Sequence, residues 1–154
     1  MLPRGATGLA HIDAHDDFIR ARRNHIAARM GRLLAGGRRN GRTPRLLVDA
    51  AGLPRGAARQ RVIPLDEIVG TVEPTPAFDA RFRPATGVVR HRWERVALAH
   101  RKGIALPPIS VRRTDDGYYV VDGRHRVSVA RALGHRDIDA LVTDARAAMA
   151  RAVA

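Results

Sequence analysis

Apolar positions recur at helical spacing over residues 9–35, where Ile12, Ile19, Ile26, Met30 and Leu33 or Leu34 follow one another at intervals of three, four or seven. Arg20, Arg22, Arg23, Arg29 and Arg32 fill the polar side, and Gly36-Gly37 marks the stop. The pattern predicts a long, basic, amphipathic helix whose apolar stripe packs on its own domain. Binding of a polyanion and self-association are the other uses open to it. His11 and His15 stand at i, i+4 and could share a metal, but no third ligand accompanies them. Residues 36–44 read as a Gly/Arg loop containing Pro44, Leu46-Leu47-Val48-Asp49 as a short apolar patch, and 52–60 as a second Gly, Pro and Arg stretch. Residues 1–60 are therefore expected to form a basic helical extension and linker.

A denser pattern begins near Arg61. Val62-Ile63-Pro64 predicts a strand, and Leu65 and Ile68 ride on a short helical turn after it. Residues 71–87 hold three prolines and little periodicity, so they read as a long loop carrying Glu73, Asp79, Arg81 and Arg83; loops of this length are often functional. Over 88–102, Val89, Trp93, Val96, Ala97 and His100 share one helical face, and Gly103 ends the helix. Ile109-Ser110-Val111 and Tyr118-Tyr119-Val120-Val121 flank the turn Thr114-Asp115-Asp116-Gly117, which predicts a hairpin. A helix over 122–133 closed by Gly134, a last strand over 138–142 and a terminal helix over 145–153 complete the reading. The order predicts an α/β (α+β) domain over 61–154, a small mixed sheet with packed helices.

Composition narrows the chemistry. The 154 residues contain no cysteine, which removes disulfides, thiolate metal sites and a thiol nucleophile. No apolar run approaches the roughly 20 residues that cross a bilayer, and the start lacks an apolar signal core. The expectation is a cytoplasmic protein without a membrane partner. The net charge of +13 points to a polyanion. Lys102 is the only lysine, however, so arginine enrichment is equally readable as genomic base composition.

The chemistry concentrates in Val120-Val121-Asp122-Gly123-Arg124-His125-Arg126-Val127, a buried strand running into a helix. A helix start offers unpaired N–H groups and the positive end of the dipole. Arg124, His125 and Arg126 would oppose that dipole unless an anion offsets them, so the three together form a candidate phosphate cradle. Asp122 reads as the helix N-cap, as a carboxylate able to hold Mg²⁺ or orient a hydroxyl, or as both at once. Gly123 clears room for the turn or for a ligand. Glu73 is the best remaining acid. Trp93 reads as core, with stacking on a base as the alternative, and Ser128, Val127, Ala130 and Gly134 as packing.

These residues carry a resemblance. Val121-Asp122-Gly123-Arg124-His125-Arg126, with Ala130 and Leu133-Gly134 behind it, resembles the signature of the ParB/sulfiredoxin superfamily. Leu106-Pro107-Pro108-Ile109-Ser110-Val111 is similar to the strand that precedes that signature, and Val62-Ile63-Pro64-Leu65-Asp66-Glu67-Ile68 to the opening strand and turn. The match runs over about residues 61–143 and implies that superfamily's fold. Sulfiredoxins use a cysteine in this motif, so the resemblance excludes their activity here. Partition ParB proteins bind CTP at the corresponding helix start, usually with Gly-Glu-Arg-Arg where this chain has Gly-Arg-His-Arg. Free-serine kinases of the superfamily carry Asp-Gly-His-His-Arg; by that resemblance Asp122, His125 and Arg126 sit at the phosphates and Glu73 matches the catalytic glutamate across a one-residue gap. No second acid cluster supports a two-metal nuclease.

The expectation is a ParB-like protein that binds a nucleotide (ATP, ADP or CTP) with Mg²⁺. Gly123, Arg124, His125 and Arg126 would hold the phosphates, Asp122 the metal, and Asp122 and Glu73 would be the catalytic pair if phosphotransfer or nucleotide hydrolysis occurs. The competing expectation is a non-catalytic, DNA-associated partition or regulatory protein that holds the phosphate backbone. A homodimer is a further open possibility.

Overall fold

The computed structural model describes residues 7–36, 43–47 and 57–145. Helix α1 spans Ala10–Leu34, followed by strands β1 (Arg45–Leu46) and β2 (Arg59–Pro64). A 3-10 turn at Leu65–Glu67 leads into β3 (Ile68–Thr71). A second 3-10 turn, Gly87–Val89, opens α2 (Arg90–Arg101), and β4 (Ile109–Thr114), β5 (Gly117–Asp122), α3 (Arg124–Ala132) and β6 (Asp137–Asp144) complete the order. The described strands form one six-stranded mixed sheet in the order β1-β3-β5-β4-β6-β2. β4 and β5 make the expected antiparallel hairpin, β6 runs parallel to β4, and β2 closes one edge antiparallel to β6.

The sequence reading had no strand at 68–71. This strand pairs in parallel with β5, Ile68 against Tyr118, Gly70 against Tyr119 and Thr71 against Val120, with a register shift between Ile68 and Gly70. β1 joins the outer side of β3 in parallel, Arg45 against Gly70. Gly70 is what allows this approach: a Cβ there would stand 2.8 Å from the Tyr119 ring and collide with the Arg45 carbonyl. The terminal helix expected over 145–153 lies outside the described residues apart from Ala145.

Two apolar clusters sit on the sheet. One joins Ile63, Leu65, Ile68, Ile109, Val111, Val120, Val127 and Val142 under α3. The other joins Ala14, Phe18 and Ala21 of α1 with Phe78, Val89, Trp93, Ala97 and Val129. Trp93 is fully buried, meets Phe18 edge-on at 5.6 Å between ring centroids, and donates its indole N–H to Ser128 Oγ at 2.8 Å. That bond satisfies the one polar atom the ring must bury. Trp93 is a core residue, and Ser128 packs as expected. Gly134 instead is exposed with φ +79°, the left-handed stop after α3.

Helix α1 lies on its own domain, as its pattern suggested, but through a different face. The buried residues are Asp13, Ala14, Asp17, Phe18, Ala21 and His25, whereas Ile12, Ile26, Met30, Leu33 and Leu34 are exposed. The inward polar groups of α1 find partners. Asp17 accepts two hydrogen bonds from Arg101, at 2.7 and 2.9 Å. His25 Nδ1 lies 3.0 Å from Asp79 Oδ2, and Asp13 accepts from the Thr7 amide and hydroxyl. Hydrophobic periodicity cannot register such charge matching, so it selected the wrong face.

Phe18→Ala should therefore lower unfolding free energy by about 3 kcal/mol, the usual cost of emptying a buried aromatic site. Leu34→Ala on the outer side should change it by less than about 0.5 kcal/mol. Urea denaturation of the two variants measures both.

Candidate functional site

Strand β5 ends at Asp122 and the chain enters α3 through Gly123, at φ +108° and ψ +21°. L-residues rarely adopt this backbone. A Cβ at Gly123 would also stand 2.8 Å from Ile109 Cβ. The glycine is thus explained by the turn and by packing. The first intrahelical bond runs from Val127 N–H to the Gly123 carbonyl at 3.0 Å, so the amides of 124–126 lie ahead of it at the positive dipole end. The N-cap offers no side-chain bond and the first turn holds no acid.

Asp122 is not the helix cap. The turn leaves it one residue outside the helix, and its Oδ2 accepts from Arg126 at 2.8 Å while most of the side chain stays exposed. Arg126 also donates to the carbonyls of Pro107 and Pro108, at 2.6 and 2.9 Å. Its guanidinium therefore braces the segment that leads into β4.

Arg124 is more open. Its only ion pair among the described residues is Glu73 Oε2, at 3.7 Å. Glu73 is mostly exposed, but the root of its loop is fixed to the sheet. Val72 N–H bonds to the Val120 carbonyl at 3.0 Å, and the Thr71 hydroxyl to the Glu73 carbonyl at 2.6 Å. Glu73 and Asp122 to Arg126, the candidate phosphate and catalytic residues of the sequence, thus gather at one end of β5.

His125 is half-buried, with its ring edge-on to Phe78 at 5.2 Å between centroids. Burial, then the positive charges of Arg92 and Arg124, push its pKa down to about 4, against a weak opposing pull from Asp122. His125 is neutral at pH 7, with a ring N–H to donate and a lone pair to accept. Arg92 and Phe78 were missed in the sequence. Arg92 comes from α2, which the Trp93–Ser128 bond ties to α3; among 28 basic residues nothing set it apart. Phe78 sits in the proline-rich stretch read as loop. That stretch is pinned by Asp79, fully buried, which accepts from the amides of Arg81 and Arg83 and from Arg83 Nε.

A cavity of about 1260 Å³ lies elsewhere, between α1 and the far end of α3. Its Arg83 is paired with Asp79, and Arg131 donates to the carbonyls of Leu65 and Ile68. Those two guanidiniums are absorbed by the fold. Among the described residues no three His, Asp or Glu side chains cluster closely enough to hold a metal ion, and His15 is instead paired with Glu94 at 2.8 Å.

The motif at β5–α3, with the strand before it and the opening strand and turn, is matched as a unit by the family model for the ParB N-terminal domain, over residues 59–154. The chain belongs to the ParB N-terminal domain family. Its mixed sheet with packed helices has the α/β character expected of the ParB/sulfiredoxin superfamily. A solved structure of sulfiredoxin from Arabidopsis thaliana is similar with a TM-score of 0.39 and 19% identity, over 61% of this chain and 94% of that one. No curated protein matches the chain.

In this ParB-family chain the electrostatics of the helix start can be read directly. In a histidine NMR titration, His125 should show a midpoint near 4. Arg92→Ala and Arg124→Ala should each raise it, because a neighbouring positive charge disfavours the imidazolium. An unshifted midpoint near 6.5 would mean that the ring is neither buried nor crowded by charge.

Proposed function

We propose that this ParB-family chain binds a nucleoside phosphate at the start of α3. One observation carries the reading: Arg92, Arg124 and the depressed-pKa His125 converge on the uncapped positive end of a helix whose first turn holds no acid. Like charges gathered at a positive dipole end cost free energy unless an anion neutralises them. Arg124 and the amides of 124–126 would hold the phosphate oxygens, and neutral His125 would donate a ring N–H to one of them. Arg126 has its donors on Pro107, Pro108 and Asp122, so its part would be to fix the cradle's shape as well as to add charge.

Mg²⁺ fits this site only as a companion of the nucleotide. Asp122 offers one exposed carboxylate, and magnesium commonly takes one or two carboxylates together with substrate phosphates. There it would neutralise phosphate charge. Glu73, with its carboxylate beside Arg124, is the candidate base that would take a proton from a hydroxyl or water in phosphotransfer or hydrolysis.

A second reading rests on the net charge of +13: a DNA-associated, non-catalytic role in which the same cations hold the phosphate backbone. Such binding weakens steeply with added salt, whereas a compact nucleotide cradle depends on it less.

A thermal-shift panel of ATP, ADP, CTP and GTP, with and without Mg²⁺, tests the first reading. At least one nucleotide should raise Tm, since a ligand that binds only the folded state must do so. Arg124→Ala should weaken that nucleotide about 10- to 100-fold, the loss of a charged hydrogen bond. No shift with any of the four would reject the proposal. Where turnover is found, Glu73→Gln should keep the nucleotide bound and slow the reaction on the order of 100-fold or more.

A further inference from the structure

Helix α1 carries its larger aliphatic side chains on the side away from the core. Ile12 is 37% exposed, Ile26 49%, Met30 54% and Leu33 58%, while Asp13, Asp17 and His25 are buried beneath. At about 100° per residue these four outward side chains fall within an arc of roughly 60°. Ile12, Ile19, Ile26 and Leu33 follow a seven-residue repeat, the spacing of a helix–helix seam. Ile19 falls within the same arc and is partly buried against the second core cluster. A row of this length on a helix 25 residues long is more than scattered surface hydrophobicity.

Two exposed polar residues interrupt the row, Asp16 and Arg23. They have opposite sign and are themselves seven apart. In a parallel pair of such helices each would face its own like charge. In an antiparallel pair Asp16 of one copy comes within a turn of Arg23 of the other, twice over by symmetry, and Ile12 comes against Met30. Two of the arginines flanking the row are drawn toward the protein's own body. Arg20 pairs with Asp17 at 3.3 Å, and Arg22 donates to the Pro84 carbonyl at 3.4 Å.

The geometry points to a second copy of this chain as the partner of that face: an antiparallel, twofold-symmetric helix pair, with the Ile12–Ile26–Met30–Leu33 row as its seam and reciprocal Asp16–Arg23 ion pairs. A twofold interface requires one patch that complements itself, and this row does so in charge. The pairing is independent of what the start of α3 binds.

Sedimentation velocity of the full chain across the micromolar range tests the proposal, with circular dichroism and thermal melts to verify folding of each variant. The wild type should reach a dimer. Ile26→Glu should raise the dissociation constant at least about tenfold, as loss of a central seam residue does. Asp16→Arg should weaken association by placing like charges together, and Asp16→Arg combined with Arg23→Asp should restore it. A monomer at every concentration, or a double variant no tighter than Asp16→Arg alone, would overturn the proposal. So would a monomer that co-sediments with anionic phospholipid vesicles through the same residues, which would assign the face to a lipid surface.

Discussion

The backbone at Gly123 fixes most of what surrounds it. Held at φ +108° against the Ile109 side chain, it stops β5 at Asp122 and starts α3 two residues later. Val127 then drops fully buried into the main core, and three consecutive polar residues are forced onto the first turn. From there the geometry of the site follows with little freedom. Arg126, four residues after Asp122, reaches back to its carboxylate and outward to the two prolines before β4, while Arg124 turns toward the Glu73 loop. An alanine at Gly123 would need both a strained left-handed backbone and a shift of Ile109.

A second tier of organisation ties α1 to the same site. Its stabilising contacts are apolar: Ala14, Phe18 and Ala21 against Trp93, Ala97 and Phe78. The ion pairs around them set position more than they add stability, since burying charge costs much of what pairing returns. Asp17 with Arg101 and His25 with Asp79 align the helix along α2 and the 75–86 segment. Phe78, next to Asp79, lies against His125. A continuous set of packed groups therefore runs from α1 to the His125 ring, which makes the basic first helix part of the scaffold around the start of α3.

Much of this was legible in the chain and some was not, for physical reasons. The β4–β5 hairpin, the helices at α2 and α3, and the junction between β5 and α3 follow from alternation, turn residues and glycine stops, which are local signals. β3 escaped because Ile68-Val69-Gly70-Thr71 is short and contains a glycine, a residue that weakens strands unless a neighbour must come close, as Arg45 does here. Asp79 was named only as one residue of a long loop; its burial rests on three donors within four residues of it and on His25, which only the tertiary fold brings near. Residues 122–126 and Glu73 were visible as candidates because chemistry-bearing types crowd a helix start or stand alone in a loop. Arg92 was invisible, because its relation to His125 exists only through the packing of α2 on α3.

The electrostatics give the site and its scaffold the same response to acid. The His125 pKa is depressed to about 4, so between its ordinary value of 6.5 and about 4 the unfolded chain binds a proton that the folded chain refuses. Stability tied to His125 is present above that window and falls as pH drops through it. Burial pushes the Asp79 carboxyl up, but hydrogen bonds from His25 and Arg83 outweigh it and hold the group below its ordinary value of 3.8. Its contribution is present above 3.8 and is lost as pH falls through the lowered value. Acid thus acts first on the His125 imidazole at the start of α3 and then on the Asp79 carboxylate, next to the Phe78 that lies against it. An anion bound against His125 would favour the imidazolium and raise its pKa, so ligand binding and protonation of this ring reinforce each other at the same few atoms.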